Sequence, residues 1–485
     1  MALRKIYFIG VKGTGMCALA ELLHGGGCEV SGSDTNERFY TDDILNSLHI
    51  PFFESFKSEH VPKDADLIIH SAAYTPQNNV ELEYALTTGV PVLKYTDALA
   101  EYSRDFFFLS VCGVHGKTTA TALCGVFFKA LNISAQVLTG SAVSAFAPSA
   151  EEGPRSTLNL GNKFFAAETC EYRGHFLSFN PKITVLTNVE HDHQDFFPSY
   201  ESMLDMFTRY VKKIPPDGAL IYCEDDPGSK EVARRVKDAP FRKIGYGFSA
   251  EGIFKIKNAV CDHSGGTPAL KWELEGFNHV FSLFTPGRHN ILNATAAAAL
   301  SHTLISGYGG REGRDFLTEE DFAAIDAQTA LFKGGKRRCE ILGEAGGTLF
   351  IDDYGHHPTA IKSTIKGIKE FYPGRRIVLS FMPHTYSRTA SLLTEFSLCF
   401  EDADVVYLHD IYPSAREKNE TGISGETLYQ ETKKRRANTH YLPEHSQAEK
   451  VIAPELQSGD IFLTMGAGDN WKAGLSLLAK RKGAL

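Results

Sequence analysis

Residues 113–119 read Gly-Val-His-Gly-Lys-Thr-Thr and follow the apolar run Phe106–Val111. A strand, a glycine turn and a helix start in that order aim backbone N–H groups at a phosphate. Lys117 would reach the terminal phosphates and the Thr118 hydroxyl would hold Mg²⁺. The longer phosphate-loop pattern wants a glycine where Val111 stands. The compact form that remains, Gly113-x-His115-Gly116-Lys117-Thr118-Thr119, still predicts a nucleoside triphosphate site, because strand, glycines, Lys and Thr fall in order. The competing explanation is a tight turn with a surface lysine.

Acidic groups follow two further expected strands, in Glu168-Thr-Cys-Glu171 and in Asn188-Val-Glu-His-Asp-His193. Carboxylates at strand ends beside a phosphate loop can hold Mg²⁺ between phosphate oxygens. The second run is dense in potential ligands: Glu190, His191, Asp192, His193 and Asp195. No further Cys/His pair stands at structural zinc spacing, so Mg²⁺ with ATP is the better expectation, and most of these side chains should be solvated or set back from the ion.

The N-terminus carries a second glycine turn. Counted from Gly10, the dinucleotide pattern G-x-G-x-x-G fails at Lys12. Counted from Gly13, the looser Gly13-Thr14-Gly15-x-x-Ala18 fits, and Asp34 follows at a plausible ribose distance. This supports a bound nucleotide diphosphate without separating NAD from a nucleotide sugar. Farther on, Thr285-Pro-Gly-Arg-His289-Asn290 runs into Asn293 at a helix start. These amides either cap the helix or read an adenine edge, since an amide both donates and accepts. Asp352-Asp-Tyr-Gly-His-His-Pro358 and Pro383-His-Thr-Tyr-Ser-Arg388 follow two late strands. Ionisable groups at neighbouring strand ends suggest a cleft.

The elements that must position these groups alternate strand and helix, so the fold class is α/β with mostly parallel sheets. The chain of 485 residues suffices for about three domains. Residues 1–104 read as a Rossmann-like domain with strands Lys5–Ile9, Glu29–Ser33 and Leu67–His70, the last followed by Ser71. Residues 105–326 read as a phosphate-loop ATPase-like domain, with strands Phe164–Glu168 and Ile183–Thr187 and an Ala-rich helix Ala294–Leu304. Residues 327–485 read as a second Rossmann-like domain, with strands at Thr348–Ile351, Arg376–Phe381, Val405–His409 and Ile461–Met465.

A net charge of −9 argues against a nucleic-acid surface, and the one basic run, Lys433–Arg436, reads as a solvated helix face. No apolar stretch approaches the roughly 20 residues of a membrane span, and no signal-peptide core precedes the first strand. Nine scattered Cys without a C-x-x-C pair fit reduced thiols in a cytoplasm.

Taken in order, Gly13–Met16, Ser31–Asp34, Gly113–Thr119, Gly287–Asn290, Asp352–Pro358 and Pro383–Arg388 resemble the motifs of the Mur ligases of bacterial cell-wall synthesis, and within them the alanine-adding branch. The resemblance spans essentially the whole chain. It implies an ATP- and Mg²⁺-dependent ligase whose substrates are UDP-N-acetylmuramate and L-alanine, working as a monomer or homodimer. Gly13, Thr14, Gly15, Asp34 and Ser71 would bind the sugar nucleotide. Gly113, His115, Gly116, Lys117, Thr118 and Thr119 would bind ATP phosphates, His289, Asn290 and Asn293 its adenine, Arg338 its phosphates and Asp353 its ribose. Thr118, Glu171 and His193 would be metal ligands. Tyr354, His356, His384 and Arg388 would form the alanine pocket, with His356 or His384 taking the amine proton. Cys339 and Thr385 depart from the family pattern, where Phe and Arg are usual. Rival expectations are a recycling ligase that adds a tripeptide, an NAD-dependent dehydrogenase built on the first domain, and a non-catalytic nucleotide sensor.

Overall fold

The computed structural model describes residues 4–149, 152–194, 196–311, 316–413 and 417–483; Asp195 lies outside them. Among these residues the strands form four sheets. The first orders Phe52–Phe53, Glu29–Ser33, Lys5–Ile9, Leu67–His70 and Val92–Lys94, all parallel. The order reverses between Lys5–Ile9 and Leu67–His70, where a doubly wound sheet opens its ligand crevice. Gly10 and Ser71 stand at that point.

The second sheet orders Arg242–Tyr246, Ala219–Cys223, Ile183–Leu186, Phe107–Cys112, Phe164–Glu168, Ala135–Val143 and Arg155–Asn159, parallel except for the last pair. Phe107–Cys112 reads as a continuous apolar run because it is covered on both faces, as parallel strands are. Its neighbours are Ile183–Leu186 and Phe164–Glu168, so the loop after Cys112 lies between the residues that follow those two strands. The helix Lys117–Ala130 then buries Ala120, Leu123, Val126 and Phe127.

The third sheet was not anticipated: Ile256–Asp262, Ala269–Leu274 and Val280–Leu283 pair antiparallel. The fourth orders Glu340–Ala345, Thr348–Asp353, Ile461–Met465, Ile377–Phe381, Val405–Leu408 and Thr439–Tyr441, parallel but for its first edge. It buries Ile351, Leu379, Phe381, Leu408 and Leu463 against helical residues such as Ile361, Ile365 and Ile368. The Ala-rich helix runs from Arg288 to Tyr308, longer than expected at both ends.

Packing divides the chain into two compact units. One holds Met1–Val189, Leu204–Tyr246 and Ala296–Leu331, with the first and second sheets. The other holds Glu190–Met203, Gly247–Thr295 and Phe332–Leu485, with the third and fourth. The segments 190–203 and 247–295, expected in the central block, therefore pack within the second unit. Among the described residues no helix is long and apolar enough to cross a membrane.

Candidate active site

In the first unit the phosphate loop is built by its neighbours. Gly113 has φ 133°, and a Cβ there would collide with the Thr187 hydroxyl and crowd the Asn188 backbone. Asn188 clamps the turn. Its Oδ1 accepts from the N–H groups of Val114 (3.1 Å) and His115 (2.9 Å), and its Nδ2 donates to the His115 carbonyl at 2.8 Å. Thr187 adds a bond to the same carbonyl at 2.7 Å. Gly116 is left-handed and opens the helix at Lys117, with Thr118 buried and Thr119 half-buried on its first turn. Asn188 had no assigned role in the sequence reading; its position after the strand paired to Phe107–Cys112 is the signal that finds it.

Lys117 folds back over the loop, its Nζ bonding the Gly113 carbonyl and the Glu171 carboxylate, the latter at 2.8 Å. Burial alone would lower its pKa, but the facing acids, Glu171 foremost, leave it raised, so the ammonium is charged. Thr118 Oγ1 donates to Glu168 Oε2 at 2.9 Å, while the other oxygen of Glu168 is buried without a hydrogen-bond partner. The expected metal set named Glu171 beside Thr118. The carboxylate beside the Thr118 hydroxyl is Glu168, the last residue of its strand, and Glu171 is the ion partner of Lys117. The oxygen-donor chemistry of Thr118 and Glu168, with one acceptor unspent, fits a hard divalent cation such as Mg²⁺.

The N-terminal glycine turn belongs to the same unit. Thr14 and Gly15 open the helix Thr14–Gly25, and Gly13 caps it. Asp34 Oδ2 accepts from Lys12 N–H at 2.7 Å and Oδ1 from Thr35 N–H at 2.8 Å, so this carboxylate braces the turn. Lys12, which broke the motif on paper, is buried. Its ammonium meets Asp42 at 2.8 Å and Glu54 at 3.1 Å and lies 5.1 Å from the Phe52 ring centre. The Lys12 charge is thus spent inside the domain. Ser71 N–H bonds the Ile9 carbonyl at 2.9 Å, at the mouth of the crevice.

In the second unit Asn290 and Asn293 are buried and bonded to each other at 3.1 Å, and Asn290 Nδ2 also donates to the Pro286 carbonyl at 2.7 Å. His289 lies beside them with its ring against Gly287. Arg338 and Arg337 both lie over the Tyr354 ring, at 5.0 and 5.2 Å. Arg337 also bonds Asp352 at 2.9 Å and the Gly466 carbonyl at 2.7 Å. Asp353 accepts from the N–H groups of Cys339 (2.9 Å) and Gly355 (2.7 Å), tying the Arg338 segment to the strand end. Cys339 has φ 48° and is buried. The glycine turn Gly466–Gly468 closes the same edge, with Gly468 packed on Met382 and Tyr412. A glycine pair directly after the strand Ile461–Met465 was a readable signal that the sequence reading passed over.

His356 and His384 meet edge to face, 5.8 Å between ring centres, and His356 Nδ1 is 3.0 Å from the Tyr354 carbonyl. Burial and the Arg388 charge push His356 well below its ordinary pKa and His384 down to about 4, so both imidazoles are neutral near pH 7. Arg388 does not present a free fork. Its Nε and Nη2 grip Asp192 at 2.9 and 3.2 Å, and Nη1 faces His384 Nδ1 at 3.3 Å. Burial works against the Asp192 charge, yet Arg388 and His193 hold its pKa well below the carboxylate range. His193 follows in a left-handed turn, its N–H on Asp192 Oδ1 at 2.7 Å. Glu190, from the same segment, accepts from the Thr359 hydroxyl at 2.5 Å. Asp192, set down in the sequence as one of several possible ligands, is the anchor of this cluster.

Family comparison decides what these two sets of groups belong to. The Mur ligase family, catalytic domain, matches residues 5–107; the Mur ligase middle domain matches 111–301; and the Mur ligase, glutamate ligase domain, matches 337–468. The chain belongs to the Mur ligase family. A UDP-N-acetylmuramate–L-alanine ligase of Treponema pallidum subsp. pallidum is 47% identical over 475 residues, covering 97% of this chain and 95% of the relative. One from Desulfitobacterium hafniense is 36% identical over 98% of this chain and 99% of its own. The fold matches the UDP-N-acetylmuramate-alanine ligase of Thermotoga maritima with a TM-score of 0.76 at 23% identity, over 99% of this chain and 100% of that one. A murein peptide ligase of Psychrobacter arcticus matches at 0.67 and 21% identity, with 98% of each chain covered.

Proposed function

We propose that this Mur ligase joins L-alanine to the lactyl carboxylate of UDP-N-acetylmuramate at the expense of ATP, in peptidoglycan precursor synthesis. The observation that carries the reading is likeness along the whole chain to ligases of that name, with the phosphate cradle at Gly113–Thr118 as its physical counterpart. Neither the tripeptide-adding reading nor the dehydrogenase reading is favoured. The functional division follows the sequence: residues 1–104 for the sugar nucleotide, 105–326 for ATP and 327–485 for the amino acid.

A carboxylate is a poor electrophile and its oxygen a poor leaving group, so the reaction first makes an acyl phosphate and ADP. The alanine amine then attacks that carbonyl and phosphate departs. Lys117 and the loop N–H groups stabilise negative charge on the transferring phosphoryl group, and Glu171 holds the Lys117 ammonium in place. Thr118 and Glu168 are the proposed ligands of one Mg²⁺ and His193 of a second. Bound there, the ions offset the charge of the phosphate oxygens. Asn290 and Asn293 offer their amide pair to adenine, and Asp353 and Arg338 supply ribose and phosphate contacts. In the alanine pocket Tyr354, His356 and His384 provide neutral donors and acceptors around the Nη1 edge of Arg388.

The deciding experiment is phosphate release from ATP and Mg²⁺ with UDP-N-acetylmuramate, with and without L-alanine, the product being weighed by mass spectrometry. Release that needs both substrates, with one alanine added through an amide, is expected. Release with a tripeptide in place of alanine would move the enzyme to the recycling branch.

A further inference from the structure

Tyr95 plays no part in the site as described above. It opens the helix Tyr95–Ser103, directly after the edge strand Val92–Lys94. Its ring stands against the N-terminal glycine turn: a Cβ on Gly15 would come within 2.7 Å of both the hydroxyl and the carbon that bears it. It also stands near the phosphoryl side of the unit. Burial pushes the phenol pKa up, and the charge of Glu168 and then Cys170 adds to it. The residue before it, Lys94, reaches His175 Nε2 at 3.5 Å, in the turn that follows Glu171. The segment is therefore held between the two ligand loops of the first unit. The residue is half-buried, and among the described residues no protein group hydrogen-bonds its hydroxyl, which is thus open to a ligand.

The ligase reading supplies the missing partner, and the inference rests on that reading. A sugar nucleotide whose diphosphate lies at Gly13–Gly15 must bring its carboxylate toward the γ-phosphate, and hence toward Thr118 and Glu168. The groups that pass between are the sugar and its lactyl arm. We propose that Tyr95 is a substrate-binding residue whose hydroxyl donates a hydrogen bond to the lactyl carboxylate of UDP-N-acetylmuramate. An ionised carboxylate only accepts, and beside the Glu168 carboxylate it needs a donor. A phenol kept protonated supplies one and orients the attacking oxygen without adding a positive charge that would blunt it.

Tyr95→Phe tests this while keeping the ring against Gly15. The KM for UDP-N-acetylmuramate should rise about tenfold or more, the range for a hydrogen bond to a charged group. The KM for ATP and the melting temperature should stay unchanged. UDP-N-acetylglucosamine lacks the lactyl carboxylate, and as a competitor it should keep the same Ki against both forms. A Ki that rises in step with KM would put the contact on the diphosphate and overturn the assignment. An active wild type beside a Tyr95→Phe enzyme of unchanged KM overturns the contact alone. A wild type without alanine-dependent phosphate release overturns the ligase reading, and this contact with it.

Discussion

Replacing Arg388 by Met removes a buried cation and leaves its partner behind. The Asp192 and Arg388 side chains are 3% and 6% exposed, and two hydrogen bonds of 2.9 and 3.2 Å join them. An exposed ion pair contributes ~0–1 kcal/mol, whereas removing one member of a buried pair costs ~3–5 kcal/mol, because the remaining charge keeps its desolvation penalty without its counter-ion. Arg388→Met should therefore destabilise the second unit by ~3 kcal/mol or more. Asp192→Asn, which strands the guanidinium instead, should cost a similar amount. The double variant strands neither charge, so its loss should fall well short of the sum, with ~2 kcal/mol of coupling. The chain has two tryptophans, Trp272 and Trp471, and both lie in the second unit. Urea unfolding followed by tryptophan fluorescence thus reads the unit that holds the pair. A loss under ~1 kcal/mol for Arg388→Met, the value of an exposed pair, would refute the argument, as would additive single and double variants.

Three further outcomes follow from the geometry. Lys117→Ala should lower kcat by ~10³-fold or more, since the side chain serves the transferring phosphoryl group, and should also lower the melting temperature, because it strands the buried Glu171 carboxylate; near-normal turnover would remove it from the site. Glu168→Gln should raise the Mg²⁺ concentration needed for half-maximal rate by ~tenfold or more, whereas Glu171→Gln should leave that value in place and lower kcat through Lys117. Equal Mg²⁺ curves for Glu168→Gln and wild type would return the metal to Glu171. Glu21, on the helix Thr14–Gly25, is buried with its Oε2 on Ser156 N–H at 3.1 Å, and burial lifts its pKa from 4.5 to about 7. Below pH 4.5 both folded and unfolded chains carry it protonated. Between there and pH 7 only the unfolded chain ionises, so stability falls by roughly 3 kcal/mol as pH rises through that window. Glu21→Gln should match wild type at pH 4 and melt higher at pH 8 by circular dichroism; equal melting at both would show that the carboxyl is not destabilised by burial.

Much of the fold was legible because buried parallel strands spell continuous apolar runs that end in glycine or acid. Lys5–Ile9, Leu67–His70 and Ile461–Met465 stand where the sequence put them. The short edge strands Phe52–Phe53 and Val92–Lys94 carry too few residues to show a pattern. In the antiparallel strand Ile256–Asp262 only Ile256 is buried, while Asn258 and Val260 are exposed, so no hydrophobic pattern marked it as a strand. The packing of 190–203 and 247–295 with the C-terminal sheet rests on contacts such as Asp192–Arg388, which join positions 196 residues apart. No local composition announces such a partner.

The site shows the same limit at closer range. Glu168 and Glu171 follow one strand, and spacing alone gives each an equal claim to the metal. Pairing register separates them: Glu168 is the last strand residue, opposite Val111, and reaches Thr118, while Glu171 lies past the turn and reaches Lys117. Arg388 read as part of the alanine pocket, and nothing in the sequence says that Asp192 already holds it. That occupancy bears on the histidines, between which the sequence could not choose a proton acceptor. His384 faces Arg388, Asp192, Glu417 and His193, and burial with the Arg388 charge outweighs the two acids. An imidazole with a pKa of about 4 holds a proton poorly near pH 7, and His356 is pushed the same way. A general base works best with a pKa near the working pH. On the proposed ligase reading, such rings would orient the alanine amine through neutral nitrogen atoms, and its proton would pass to the departing phosphate.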